Sequence, residues 1–372
     1  MSYSLSTLWH DRQRYVPGIL AVAFSALLIA LQCGLLMGLF SITSLPIDHT
    51  DAHIWMGAPG VLSVDLGERI REGYLARLAS EPEIAQCEIY LQGFSYWAKP
   101  AGGTELCMVI GSRLGDSALG HVKELTPELR TKLTEPGAIV VDESDLGRLG
   151  IHGVGDTAEV TGRRVRVVGL TKGLKSLAGP YVFCSLNTAR PLLRSLPDQT
   201  TYVLARCHNK ADAPAVVERL RERYSTVSAF TSDEFSFRSR MHWLTKTKAG
   251  IALGYAAALG LLVGAVVTYQ TLYAATVASI REFAVLRALG IPRWRMAMLV
   301  MSQSFWVGVI GVALSIPAVH LLAWVADELG VRVMLPLELI GAAAAVTLFT
   351  ALGSGLVALR SLRLAEPATL LR

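Results

Sequence analysis

Residues 249–280 read AGIALGYAAALGLLVGAVVTYQTLYAATVASI, thirty-two positions without one charge, and the ten that follow, REFAVLRALG (281–290), carry Arg281, Glu282 and Arg287. An α-helix needs about 20 apolar residues to cross a bilayer, so the first stretch is a membrane span with length to spare. Outward from it, residues 18–47, 296–326 and 339–359 are apolar over comparable lengths. Composition agrees. The 372 residues are 52% hydrophobic and 17% charged, with a mean hydropathy of +0.42, which suits a membrane protein better than a soluble enzyme.

The fold class that follows is membrane α-helical, with four transmembrane helices and an inserted α/β extracytoplasmic domain of two lobes. Residues 1–17 are the N-terminal segment and 18–47 the first span. The external domain is 48–245, the second span 246–280, a short helix and turn 281–295, the third span 296–326, an external loop 327–338, the fourth span 339–360 and the C-terminal segment 361–372. The first apolar run, about 30 residues, exceeds the about 7–15 of a signal-peptide core, so it reads as a retained anchor.

Lys and Arg near span ends stay on the cytoplasmic side. Arg12 and Arg14 precede the first span, Arg281, Arg287, Arg293 and Arg295 separate the second from the third, and Arg360, Arg363 and Arg372 follow the fourth, whereas the loop ADELGVRVMLPLE (326–338) is net acidic. Both termini and REFAVLRALG are therefore expected in the cytoplasm and the large domain outside. The net charge of +5 is then mostly a topology signal, and no nucleic-acid partner is expected.

Within 48–245 the pattern alternates strands with short helices. VLSVDL (61–66) alternates like a strand, and GERIREGYLARLAS (67–80) places Ile70, Tyr74, Leu75 and Leu78 on one helical face. EIAQCEIYLQGFSYW and ELCMVIGSRL read as strands joined at KPAGGT (99–104), and Thr126 with Pro127 opens a helix over TPELRTKL. GAIVVDESDLGRLGIHGVGDTAEVTGRRVRVVGL (137–170) reads as strand, helix, glycine turn and two strands; the stretch from Thr201 to Phe230 reads as strand, helix, strand. Cys87, Cys107, Cys184 and Cys207 fall in this domain and Cys33 in the first span. Outside the membrane they are able to pair, with Cys87 and Cys107 on neighbouring strands, or each fills a small apolar position. No CxxC occurs, and His152 and His208 lack metal spacing, so no metal ligands are expected. No catalytic residues are expected either: GxSxG, HExxH and GxxxxGK[ST] are absent, and there is no Gly-Lys pair at all.

In the second span Ala256, Gly260 and Gly264 form a small-residue face that lets helices approach closely, either across a dimer or within one chain. Tyr269, Gln270 and Tyr273 add polar groups toward its cytoplasmic end. These spans hold less polar lining than a translocation path requires, which argues against a through-membrane channel. In REFAVLRALG a helical period groups Phe283, Leu286 and Leu289, with Ala284, Val285 and Ala288 beside them; Arg281 and Glu282 cap the start, and Gly290 with Pro292 ends it. Such a helix suits a surface of membrane lipid or a groove on a partner protein. The residues alone leave both open.

Four spans, a large domain after the first, and R-E-x-A-x-L-R-A-L-G ahead of the third resemble the MacB/FtsX-like permeases of ABC exporters. The ending RLAEPATLLR is similar to that family's C-terminal pattern through Glu366, Pro367, Leu371 and Arg372. Trp243, Thr247, Gly250, Val263, Gly264, Val267, Tyr269, Gln270, Leu272 and Tyr273 resemble the DevC branch more closely. The resemblance implies a permease of the bacterial inner membrane, with a periplasmic domain and no ATPase of its own. It further implies a homodimer that binds a separate ABC ATPase subunit through a coupling helix (Arg281, Glu282, Phe283, Leu286, Arg287, Leu289, Gly290). ATP and Mg come only through that subunit, with no cofactor bound directly. An HlyD-like membrane fusion protein and a TolC-type outer-membrane channel complete the implied path, for a lipid or glycolipid substrate. The residues ahead of the coupling helix, TVASI, depart from the charged pattern usual there. Relatives of the same plan imply two other roles, an FtsX-like non-transporting regulator of a cell-wall hydrolase and a lipoprotein-releasing permease.

Overall fold

The computed structural model describes residues 12–176, 179–246, 248–278, 292–328, 331 and 333–364. Two units emerge: Met1–Gly38 with Lys248–Arg372, and Leu39–Thr247. Helix α1 (Arg12–Thr43) is followed by the short α2 (Leu45–Asp48). The domain then runs through β1 (Ile54–Gly57), β2 (Ile70–Arg71), α3 (Tyr74–Ala79), β3 (Ile84–Ala98), β4 (Thr104–Ser112), α4 (Pro127–Lys132), β5 (Ala138–Asp142), α5 (Leu146–Leu149), β6 (Thr157–Val160), β7 (Arg163–Thr171), β8 (Tyr181–Ser185), α6 (Leu186–Leu192), β9 (Gln199–Thr200), β10 (Tyr202–Cys207), α7 (Ala213–Arg223), β11 (Ser228–Thr231) and α8 (Ser232–Lys246). Helices α9 (Lys248–Ala278), α10 (Arg293–Glu328) and α11 (Leu337–Leu364) complete the order.

Four helical stretches are long and apolar enough to cross a membrane: Tyr15–Thr43, Gly254–Thr271, Val300–Glu328 and Leu337–Leu356. Small residues set their packing. Val22 of α1 lies against Gly311 of α10 and shares a buried cluster with Tyr15, Val307 and Ala351. Ile29 and Ala30 meet Val319 and Ala343 in a second cluster. The Gly355 position of α11 is filled by Ser304 of α10.

The domain is built on a nine-stranded sheet in the order β11-β1-β10-β3-β4-β8-β5-β7-β6. β3 joins its two halves: Ile84 to Tyr90 pair antiparallel with β10, and Leu91 to Ala98 pair antiparallel with β4. β4–β8 and β5–β7 are parallel. β6 returns to β3 through Trp97–Val160 and Ala98–Glu159, closing six of the strands on themselves. The pairing is continuous, so the ladder does not divide the domain into the two expected lobes.

Local chemistry explains most of the boundaries. Thr126 Oγ1 accepts from Leu129 N, and Pro127 supplies the first turn of α4, as the sequence predicts. Gly150, at φ +68°, ends α5 in the left-handed conformation. The KPAGGT turn is present, closed by Lys99 N donating to Gly103 O. Two expectations fail. Residues 61–66 are a loop with a 3-10 turn at Val64–Leu66. Its Val61, Ser63, Val64 and Asp65 are buried while Leu62 and Leu66 are exposed, so the alternation of residue types did not predict which side chains face inward. Its backbone bonds go to side chains instead of a strand, with Val64 N donating to Ser239 Oγ and Val64 O accepting from Tyr202 Oη. The helix expected from residue 67 begins only at Tyr74, because Ile70 and Arg71 pair with Thr200 and Gln199 as strands. The cysteines are free; β3 and β4 are neighbours, but Cys107 lies opposite Ser95 and Cys87 opposite Ala205.

Candidate functional site

The seven coupling-helix residues, Arg281, Glu282, Phe283, Leu286, Arg287, Leu289 and Gly290, lie outside the described residues. In α9, Gly264 presses on α1: a Cβ there would lie 1.9 Å from Ser25 Oγ and 2.8 Å from Ser25 Cβ. Gly260 faces Leu28 of the same helix more loosely, at 3.8 Å, and Ala256 is half-buried. This small-residue face packs within the chain at Gly264. Tyr269 and Tyr273 stack with ring centroids 5.9 Å apart, and Gln270 is exposed. The lipid-type or partner-type apolar surface of α9 lies elsewhere, on Tyr255, Leu259, Leu262 and Val266.

A constellation that pattern reading missed ties α2 to α8. Asp48 Oδ2 accepts from Ser44 Oγ and from Arg240 Nη2, each at 2.6 Å, and Oδ1 accepts from Ser236 Oγ at 2.7 Å. Arg240 Nε donates to Ser44 Oγ at 2.7 Å, closing the ring of bonds. Ser44, the residue just ahead of α2, and Asp48 at its end bond across one turn, and Ser236 and Arg240 stand four apart on α8, so they project from one face. The bonds to Asp48 are charge-assisted, and the ion pair is part-exposed, at 31% for Asp48 and 42% for Arg240. Nearby, His49 Nδ1 lies 2.5 Å from Glu124 Oε1, which fixes the chain leaving α2 to the loop ahead of α4.

The rest of α8 is seated on the domain by one face. Phe235 is fully buried, stacked on Phe230 at 5.0 Å and packed against Trp55 and Tyr202 at 5.9 and 5.7 Å. One and two turns on, Ser239 Oγ accepts from Val64 N at 3.0 Å and the Trp243 indole donates to Ser63 Oγ at 3.1 Å. Arg238 Nε donates to Val61 O at 3.0 Å and its guanidinium lies over the Phe230 ring. The positions 235, 239 and 243 recur at helical spacing. The opposite face, with Phe237 and Met241, is exposed. Chemically this is an anchored seat, made of apolar packing and a charged clamp. Among the described residues no three His, Cys, Asp or Glu side chains gather as metal ligands.

Residues 19–223 match the family model described as MacB-like periplasmic core domain, and residues 254–367 match that described as FtsX-like permease C-terminal. Among solved structures, the periplasmic region of MacB from Actinobacillus actinomycetemcomitans is similar at 12% identity and a TM-score of 0.34, over 50% of this chain and 92% of that one. The extracellular domain of the noncanonic ABC-type transporter YknZ from Gram-positive bacteria is similar at 10% identity and a TM-score of 0.33, over 48% of this chain and 99% of that one. No curated protein matches the chain.

Proposed function

We propose, from the premise that this chain belongs to the MacB/FtsX-like permease family, that it is the permease subunit of an ABC exporter whose ATPase is a separate chain. The absence of any Gly-Lys pair, and so of a P-loop, supports the separate ATPase. Two copies meet along the second span and receive two ATPase subunits on the cytoplasmic segment 281–289. Phe283, Leu286 and Leu289 enter the partner's groove, framed by Arg281, Glu282 and Arg287. ATP and Mg are held by that partner. The basic residues around the spans support cytoplasmic termini and a periplasmic domain in the inner membrane. An HlyD-like fusion protein and a TolC-type channel extend the path outward, and the DevC-like motif of α9 supports a lipid or glycolipid substrate.

The observation that carries this reading is the seat of α8. That helix immediately precedes the second span in sequence, and it is anchored to the domain through Phe235, Ser239, Trp243 and the Asp48–Arg240 clamp. A segment held in that way passes displacement of the span to the domain as a unit instead of absorbing it. Affinity capture of the full-length chain tests the reading: an ABC ATPase is expected to be retained, and Leu286→Asp to lose it, because a charge is placed in an apolar contact. Wild-type chain that retains no ATPase, or Leu286→Asp that retains it undiminished, would refute the assignment.

A further inference from the structure

Asp65 is the carboxyl in the domain with the least evident reason to be where it is. It sits in the 3-10 turn Val64–Leu66 and is 4% exposed. Its Oδ1 takes one long bond, from Gln92 Nε2 at 3.4 Å, and Trp243 on α8 shares its single indole N–H between Ser63 Oγ, at 3.1 Å, and this carboxyl. The ionisable groups facing it are phenols: Tyr90 from β3, Tyr181 from β8 and Tyr202 from β10. Burial pushes all three of them up, so they are neutral at any physiological pH. Tyr202 Oη is already committed to Val64 O at 2.8 Å, and Tyr90 Oη is buried without a partner. The cations of the neighbouring elements point elsewhere. Arg238 of α8 bonds Val61 O, Arg240 bonds Ser44 and Asp48, and Arg69 of the following loop bonds Leu193 O. A carboxylate buried without a cation is strongly disfavoured and takes up a proton instead. Burial accordingly lifts Asp65 to about 7, against the Trp243 N–H, which pulls it down.

The group therefore lies beneath α8, touches it through Trp243, and is stable there in its neutral form. We infer that Asp65 is a proton-operated latch on α8: seated, the helix covers a neutral carboxyl, and unseating it exposes Asp65 to water, where the proton passes to the external medium. Seating is then linked to pH with a definite sign. It is strongest below the ordinary value of 3.8, weakens as pH rises to about 7, and is constant above that. His242 on the same helix works the other way. Burial, Lys246 and Arg238 hold it below 6.5, so its contribution weakens seating as pH falls. The latch stands apart from the transport reading, because the position of α8 can be measured with no ATPase or substrate present.

Hydrogen–deuterium exchange of the peptide covering 232–246, in the full-length chain in detergent between pH 5 and 8 and corrected for intrinsic exchange, tests it. Opening of α8 is expected to rise by at least about tenfold from pH 5 to 7 and then level off, since one proton gives at most tenfold per pH unit and His242 offsets part of it. Asp65→Asn, neutral at every pH, is expected to lose that rise. Trp243→Phe removes the donor that favours the charged form, so the pH at which opening levels off moves upward, whatever happens to its absolute size. A flat wild-type profile between pH 5 and 7, or an Asn variant that rises with the wild-type slope, overturns the latch. Should Asp65→Asn fail to fold, Trp243→Phe decides, and a levelling-off that stays put or moves downward overturns it.

Discussion

Arg240 holds Asp48 across 192 positions of sequence, with Nη2 2.6 Å from Oδ2. The same carboxylate also takes Ser44 and Ser236, so the segment leaving the first apolar helix and the segment approaching the second share one anion. Neither α2 nor α8 shifts without breaking bonds on the other.

Removing one partner leaves the other half-satisfied. Arg240→Met is expected to cost about 1–2 kcal/mol in denaturant unfolding of the full-length chain. Solvent reaches both groups, so the Asp48–Arg240 coupling in a double-mutant cycle is expected at about 1 kcal/mol or less. In the complex proposed above, of this chain with a separate ATPase, the same variant is expected to keep ATP hydrolysis while losing transport. Equal loss of both activities, or a coupling energy of zero, would show that the clamp carries no load.

Gly264 and Gly260 differ sharply although they share one motif. Gly264→Ala forces a methyl to within 2.8 Å of Ser25 Cβ, whereas Gly260→Ala brings one to 3.8 Å from Leu28 Cβ, an ordinary contact. The first change is expected to destabilise by about 1–3 kcal/mol, the range for overpacking, and the second to be neutral. Thermal unfolding of the two variants in detergent separates them.

The domain's thiols are expected to be inert. Burial pushes Cys87 and Cys107 up to about 12 from 9.0, and raises Cys184 and Cys207 as well. Three pH units leave about 1000-fold less thiolate. Maleimide labelling of the native chain at pH 7.5, read by mass spectrometry, should be slower for Cys87 and Cys107 by about that factor, and unfolding should restore the ordinary rate.

The parts legible in the sequence were those whose causes are local. The Thr126–Pro127 start, the Gly102–Gly103 turn and the strand–helix–strand run ending at Phe230 each depend on residues within a few positions of one another. That four helices are long and apolar enough to cross a membrane follows from composition alone. VLSVDL was misread because alternating residue types carry no information on where Val64 N and O find partners, and here both partners are side chains more than 130 positions away. The clamp was invisible for the same reason: Ser44 with Asp48 is an unremarkable pair until Ser236 and Arg240 stand opposite. GxxxG spacing announced a close approach at Gly264, but no pattern names the partner, which proved to be Ser25 of the same chain.

Because β6 returns to β3, the strand order of the described residues ends openly only at β11, four residues long and running directly into α8. At that end a visiting chain finds only four residues of backbone to extend by strand addition. Whatever docks at that end has to read side chains, so its recognition can drift or be re-engineered one surface residue at a time without disturbing the ladder beneath.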